Sequence, residues 1–154
     1  MAETVIKESA DLDDILAQLP IELRGDAMKK AVGAGARIPK NKARELAPRG
    51  NPEHNPDAKP LWKTIGMIVK SYNLGAIWVA IVGPERPAGS HGHLVEDGHE
   101  VKVSRGSRKG QAPLTGSARV KGKKFMAPAV DTTMDQQDRA IRASLVESIK
   151  KAGG

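Results

Sequence analysis

Apolar residues recur at helical spacing near the start of the chain. From Asp11 to Leu19, the side chains of Leu12, Ile15, Leu16 and Leu19 share one face, Asp11 stands where an N-cap belongs, and Asp13 and Asp14 suit the positive end of a helix dipole. Pro20 then resets the chain. From Ile21 to Ile38 the spacing is again helical, with Leu23, Ala27, Ala31 and Ile38 along one side and Arg24, Lys29, Lys30 and Arg37 among the exposed positions. Within it, Ala31-Val32-Gly33-Ala34-Gly35-Ala36 carries two glycines. Each costs about 1 kcal/mol of helix propensity but removes side-chain bulk, which permits close packing against a sheet or a neighbouring subunit. Pro39 is expected to kink this helix or begin a new turn, and Lys40 to Leu46 continue it until Ala47-Pro48 stops it.

The pattern then changes. Pro48 to Pro60 is rich in Pro, Gly and Asn, has no periodic apolar signal and reads as a surface loop. Leu61 to Asn73 contains alternating Ile65, Met67 and Val69, and Leu74 to Gly83 contains Ile77, Val79 and Ile81 opposite Trp78, Ala80 and Val82, so two strands are predicted. Asn73 tolerates positive φ at the join, which makes the pair an antiparallel hairpin closed by Gly83-Pro84. A short helical turn over His93 to Asp97 ends at Gly98, and a third strand is expected from His99 to Ser104. Arg105 to Gly116 has the composition of a long loop or extended hairpin. Ala118 to Met126 reads as a fourth strand whose exposed lysines protect an edge. The last element starts near Asp131, where Thr133 and Gln136 have capping-box spacing, and Ile141, Leu145 and Ile149 form its apolar stripe up to Gly153.

Composition fits one domain over residues 1–154. With aromatic residues at 3%, the core must rest on Ile, Val, Leu, Met and Ala. Charge is more informative. Of the 25 Lys and Arg, eight (Lys102, Arg105, Arg108, Lys109, Arg119, Lys121, Lys123 and Lys124) fall in a run without any acid. The other 17 face all 18 Asp and Glu, so the rest of the chain nets −1 against +7 overall. A basic strip of this kind suits a nucleic acid, an acidic protein surface or a solvated loop. No apolar run approaches the ~20 residues of a membrane helix, and Met1-Ala2-Glu3-Thr4 does not read as a signal peptide, so a soluble protein is expected.

Chemistry narrows the options further. The chain has no cysteine, which excludes disulfides, thiolate zinc sites and cysteine nucleophiles. His91, His93, Glu96 and His99 lie close together, yet their spacing matches no established metal-ligand pattern, and no metal or cofactor is assigned. There is no Gly-x-Ser-x-Gly elbow, and Gly106-Ser107-Arg108-Lys109-Gly110 lacks phosphate-loop spacing. Adjacent Glu96 and Asp97 point apart on a turn, so they do not form an acid and base pair, and no catalytic residue is assigned. The eight cations are candidate DNA contacts. With no aromatic residue interleaved between Lys102 and Lys124, any such contact is electrostatic and independent of sequence.

Several segments taken in order resemble the tail-completion, minor tail or head-to-tail joining proteins of the tailed-bacteriophage neck. They are the helix with Ala43 followed by Ala47-Pro48, the Leu61 segment entering a hairpin, the turn His93-Leu94-Val95-Glu96-Asp97-Gly98, and Phe125-Met126-Ala127-Pro128-Ala129 before the final helix. The chain departs from the family pattern where Asp97 replaces an aromatic residue, His99 a Thr, Lys124 a Pro and Ala127 an Arg. Gly98, Phe125 and Pro128 take structural roles: chain reversal, core anchor and helix start. Glu96 is expected to face a basic residue across the sheet or a subunit boundary.

The expected fold is α+β. N-terminal helices and a C-terminal helix pack on a small, mainly antiparallel sheet of about four strands, with a long basic loop at 105–116. The resemblance implies a non-enzymatic virion protein, assembled in the host cytoplasm into a homo-oligomeric ring that completes the tail and meets other neck, connector or tail proteins. A tail-terminator ring is the neighbouring role, and a sequence-independent DNA-binding module is the alternative of a different class. Arg49, Glu96, Arg105, Arg108 and Lys109 are the candidate subunit or ring contacts.

Overall fold

The computed structural model of the chain describes residues 14, 16–17, 19–49, 59–75, 77–104 and 115–152, with backbone alone at 22, 101–104 and 115–118. Its spine is helix α1, Ile21–Leu46, which at 26 residues is about 39 Å long. Six small residues at intervals of four, Ala27, Ala31, Gly35, Pro39, Ala43 and Ala47, are all buried. Because 3.6 residues make a turn, a step of four advances about 40° around the axis, and five steps wind the stripe through about 200°. Its first half meets the C-terminal helix and its second half meets the hairpin base and Phe125. This winding explains why Leu23 is exposed and Ile38 only half-buried, although both fall on the face expected from a simple helical repeat.

Pro39 does not divide the helix. A proline inside a helix costs about 3 kcal/mol, but here its ring lies in the packed stripe, and contacts on either side hold the backbone helical. The end comes at Ala47, which is extended before Pro48, and the Ala47 N–H still donates to the Ala43 carbonyl at 2.8 Å. Of the expected helix before Pro20, Asp14, Leu16 and Ala17 are helical and Leu19 is buried; residues 11–13, 15 and 18 lie outside the described residues. Most of the loop from 48 to 60 is outside them as well.

Leu61 begins a helical turn, not a strand: α2 spans Leu61–Thr64, capped by Pro60 and closed by the Thr64 hydroxyl donating to the Leu61 carbonyl at 2.7 Å. Strand β1, Ile65–Tyr72, follows, and Arg44 Nε donates to the Ile65 carbonyl at 2.8 Å, tying β1 to α1. β1 pairs antiparallel with β2, Ile77–Pro84, from Ile65 opposite Pro84 to Tyr72 opposite Ile77. Asn73, Leu74 and Gly75 all have positive φ at the turn. One face of the hairpin lies on α1, with Met67 and Val69 beside Gly33 and Trp78 beside Gly25.

The chain continues through α3, Gly92–Asp97, into β3, Gly98–Ser104, which pairs antiparallel with β4, Thr115–Lys121. The four strands do not form one sheet; they make two separate hairpins. α3 redirects the chain before β3 begins, so β3 pairs with β4 and packs at its base on α3. The expected fourth strand at 118–126 thus begins earlier and stops at Lys121, because Phe125 caps α4, Met126–Asp131. Pro128 sits in its first turn, where no backbone donor is needed.

Thr132 and Thr133 separate α4 from α5, Met134–Ala152. Thr133 is buried, its hydroxyl donating to the Ala129 carbonyl at 2.6 Å, and its side-chain partner is Gln137, not Gln136. A capping box needs a side chain reaching back to the cap amide, whereas Gln137 Nε2 donates to the Thr133 hydroxyl and the Val130 carbonyl. α5 then lays Ile141, Leu145 and Ile149 against α1. No helix among the described residues is long and apolar enough to cross a membrane.

The helices therefore pack on two small antiparallel hairpins, an α+β architecture. A Cβ at Gly35 would stand 2.7 Å from Ile141 Cγ1, whereas at Gly25 it would meet Trp78 at an ordinary 3.9 Å. Gly35→Leu should accordingly lower the unfolding free energy by about 2 kcal/mol through overpacking. Gly25→Ala should raise it by about 0.5–1 kcal/mol through helix propensity. Urea denaturation of both variants measures the difference.

Candidate functional site

The second hairpin is held at its base by a clamp built from two segments far apart in sequence. α3 ends at Gly98, whose φ of 81° is unfavourable for other residues and whose N–H donates to the Leu94 carbonyl. A methyl group at Gly98 would overlap the Val120 carbonyl oxygen, and one at Gly122 would overlap the Glu96 carbonyl oxygen. Only backbones without side chains approach this closely. The approach lets Lys123 N–H donate to the Val95 carbonyl at 2.7 Å.

Glu96 completes the clamp. Its Oε2 accepts the Phe125 N–H at 2.9 Å and the Met126 N–H at 3.2 Å, the cap and first amides of α4. Both would otherwise lack an intrahelical acceptor, and a carboxylate acceptor makes each bond stronger than a neutral one. Below it, the Phe125 ring is 1% exposed and packs with Ala43, Ala47, Leu61, Ile65 and Ala129. Outside it, Lys124 Nζ pairs with Asp97 Oδ1 at 3.1 Å, but both side chains are about two-thirds exposed, so the pair contributes at most about 1 kcal/mol. Glu96 is thus engaged with backbone amides, and the basic partner expected for it belongs to its neighbour Asp97 instead.

The clamp presents the basic strip. Arg119, Lys121, Lys123 and Lys124 are exposed on β4 and its exit. Arg119 stands opposite Glu100 in register, and Lys102 opposite Ser117. Arg105, Arg108 and Lys109 lie outside the described residues. Arg49 belongs to a different region: its guanidinium carbon is 4.6 Å from the centre of the Trp62 ring, and Lys63 Nζ approaches the same ring at 5.2 Å. Each such contact contributes about 0.5–1 kcal/mol at an exposed position.

The histidines do not converge. His93 Nδ1 is 2.9 Å from the Ser90 carbonyl and His99 Nδ1 is 3.5 Å from the Leu94 carbonyl, while His91 is exposed. Among the described residues no group of three His, Asp or Glu side chains is placed to hold a metal ion. On α5 a hydrogen bond from Lys151, reinforced by its charge, holds the exposed Glu147 carboxyl below the ordinary carboxylate value. Sequence reasoning missed one surface, the outward face of β1–β2. Its signal was the presence of apolar residues on both faces of two strands.

No family model, curated protein or solved structure matches the chain.

Removing the Glu96 carboxylate leaves two amides without an acceptor. Glu96→Ala should therefore cost about 1–3 kcal/mol and speed amide hydrogen exchange at Phe125 and Met126. Lys124→Ala should cost less than about 1 kcal/mol and leave that exchange unchanged. A larger loss from Lys124→Ala than from Glu96→Ala would show that the exposed ion pair, not the carboxylate clamp, closes the arm.

Proposed function

We propose that the chain is a structural virion protein of a tailed phage, forming a homo-oligomeric ring in the neck that completes the tail and joins it to the head. The observation that carries this reading is the clamp itself. Two of the four segments behind the family resemblance, His93 to Gly98 and Phe125 to Ala129, meet through Glu96, and between them the chain forms an antiparallel hairpin on which Arg119 and Lys121 are exposed, with Lys123 and Lys124 exposed at its exit. A basic hairpin secured at its base fits an element whose contacts lie outside its own domain.

In this role the arm reaches a neighbouring subunit, an adjoining connector or tail protein, or DNA in the central channel. Arg49 beside Trp62 marks the edge of a second contact region at 49–59. A tail-terminator ring uses the same features and differs in its position on the tail tube. The reading of a different class, a sequence-independent DNA-binding module, is favoured by the exposed Arg119, Lys121, Lys123 and Lys124.

Deletion of residues 105–116 should leave the thermal transition of the domain nearly unchanged while abolishing infectious particles in a complementation assay. Normal particle yield would overturn the assembly role of the arm. In the DNA-binding reading the isolated protein binds duplex DNA with an affinity that falls steeply with salt, because each neutralised phosphate contributes a slope of about −0.9 in log K against log salt. Absence of binding at low salt removes that alternative.

A further inference from the structure

Each strand of the first hairpin has an edge that faces away from the other strand. The ladder fixes which backbone groups lie on it. The Glu85 N–H donates to the Thr64 carbonyl at 2.8 Å, so these two residues form a hydrogen-bonded pair, and in an antiparallel ladder such pairs recur at every second position. The bonded pairs are therefore Gly66 with Gly83, Ile68 with Ile81, Lys70 with Val79, and Tyr72 with Ile77. Residues between them turn their N–H and C=O groups outward. On β1 these include Ile65, whose carbonyl accepts Arg44 Nε at 2.8 Å, as this pattern requires. On β2 they are Trp78, Ala80 and Val82. Among the described residues nothing donates to or accepts from these outward backbone groups of β2.

A bare edge is a template for another strand unless something guards it. β1 carries Lys70 and is tied at its base by Arg44; β3 carries Glu100 and Lys102, and β4 carries Arg119 and Lys121. β2 has none of these devices. Its eight residues include no charge, its proline comes only at the end, and the unbroken register to β1 leaves no bulge to twist the edge away. A row of free N–H and C=O groups flanked by apolar side chains is matched by an extended apolar strand.

The sequence of β2 itself supplies that strand. Laid antiparallel on a second β2 about Ala80, it sets Trp78 opposite Val82 and Val82 opposite Trp78, so every outward N–H meets an outward C=O. Val79 then stands opposite Ile81 on the exposed face. Trp78, beside Gly25, marks the face toward α1, and there the small Ala80 meets its own counterpart at the axis. We propose that two copies of the chain pair through their β2 edges, antiparallel about Ala80, into a four-stranded sheet in the order β1, β2, β2, β1. Such a contact is two-fold and closes on itself. It goes beyond the ring reading above, because it joins two subunits or two rings and does not itself build a ring.

Amide hydrogen exchange of the full-length protein reads the edge directly. In dilute solution the amides of Ile77, Val79 and Ile81 should exchange slowly and those of Trp78, Ala80 and Val82 fast. At concentrations where the chain self-associates in sedimentation, the second set should slow at least about tenfold. Outward amides that stay fast in the associated protein, or a chain that stays monomeric, overturn the proposal. The absence of cysteine allows a test of register. Val79→Cys and Ile81→Cys are oxidised separately and as a mixture, and the mixture should cross-link fastest, since these positions face each other in a non-hydrogen-bonded pair with close Cβ atoms. Faster cross-linking within either variant alone overturns pairing about Ala80. Ala80→Pro removes an outward N–H without touching the ladder to β1, so slow exchange at Ile77 and Val79 should persist while self-association weakens by about 10- to 100-fold. Association unchanged by Ala80→Pro rejects the edge as the contact. If that proline loosens the hairpin instead, exchange of the wild type and the cysteine mixture still decide the question.

Discussion

The close approach permitted by small residues along α1 is the constraint on which the rest of the structure depends. Ala27, Ala31 and Gly35 let α5 bring Ile141 and Leu145 against the helix, while Ala43 and Ala47 leave room for Phe125, Leu61 and Ile65. The stripe winds as it runs, so one helix serves two apolar clusters on different sides of its axis. Bulk at any of these positions would separate layers that have few large side chains to refill the gap. In a chain with a single Phe and two Trp, tight backbone packing replaces large rings as the source of contact.

The clamp solves a different problem. The exposed cations Arg119, Lys121, Lys123 and Lys124 repel one another, so the base of this hairpin needs an attachment of its own. It is secured by backbone geometry at Gly98 and Gly122 and by the Glu96 carboxylate across two amides of α4. All of these are local to the base.

The first hairpin divides its labour between faces. Met67, Val69 and Trp78 lie against α1, where glycines at 25 and 33 admit them. The opposite face has no helix over it among the described residues, so its isoleucines remain in water. A two-stranded sheet covered on one side accounts for both the contact with α1 and the apolar surface left in water.

The sequence by itself determined the elements that follow from local rules. Helical spacing gave the long N-terminal helix and the stripe of Ile141, Leu145 and Ile149; Asn73 marked the hairpin turn; Gly98 marked the reversal after α3; Phe125 was identified as a core anchor. Each depends on residues within a few positions of one another. Tertiary structure alone decided the rest. It carried α1 through Pro39, split the four strands into two hairpins, and turned Ile77, Val79 and Ile81 outward although both faces of β2 are apolar. It also gave Glu96 two backbone amides about thirty residues away instead of a basic side chain. Periodicity reports which residues share a face, but which face is buried and which distant amide meets a carboxylate depend on the packing of separate segments, for which a single chain carries no local signal.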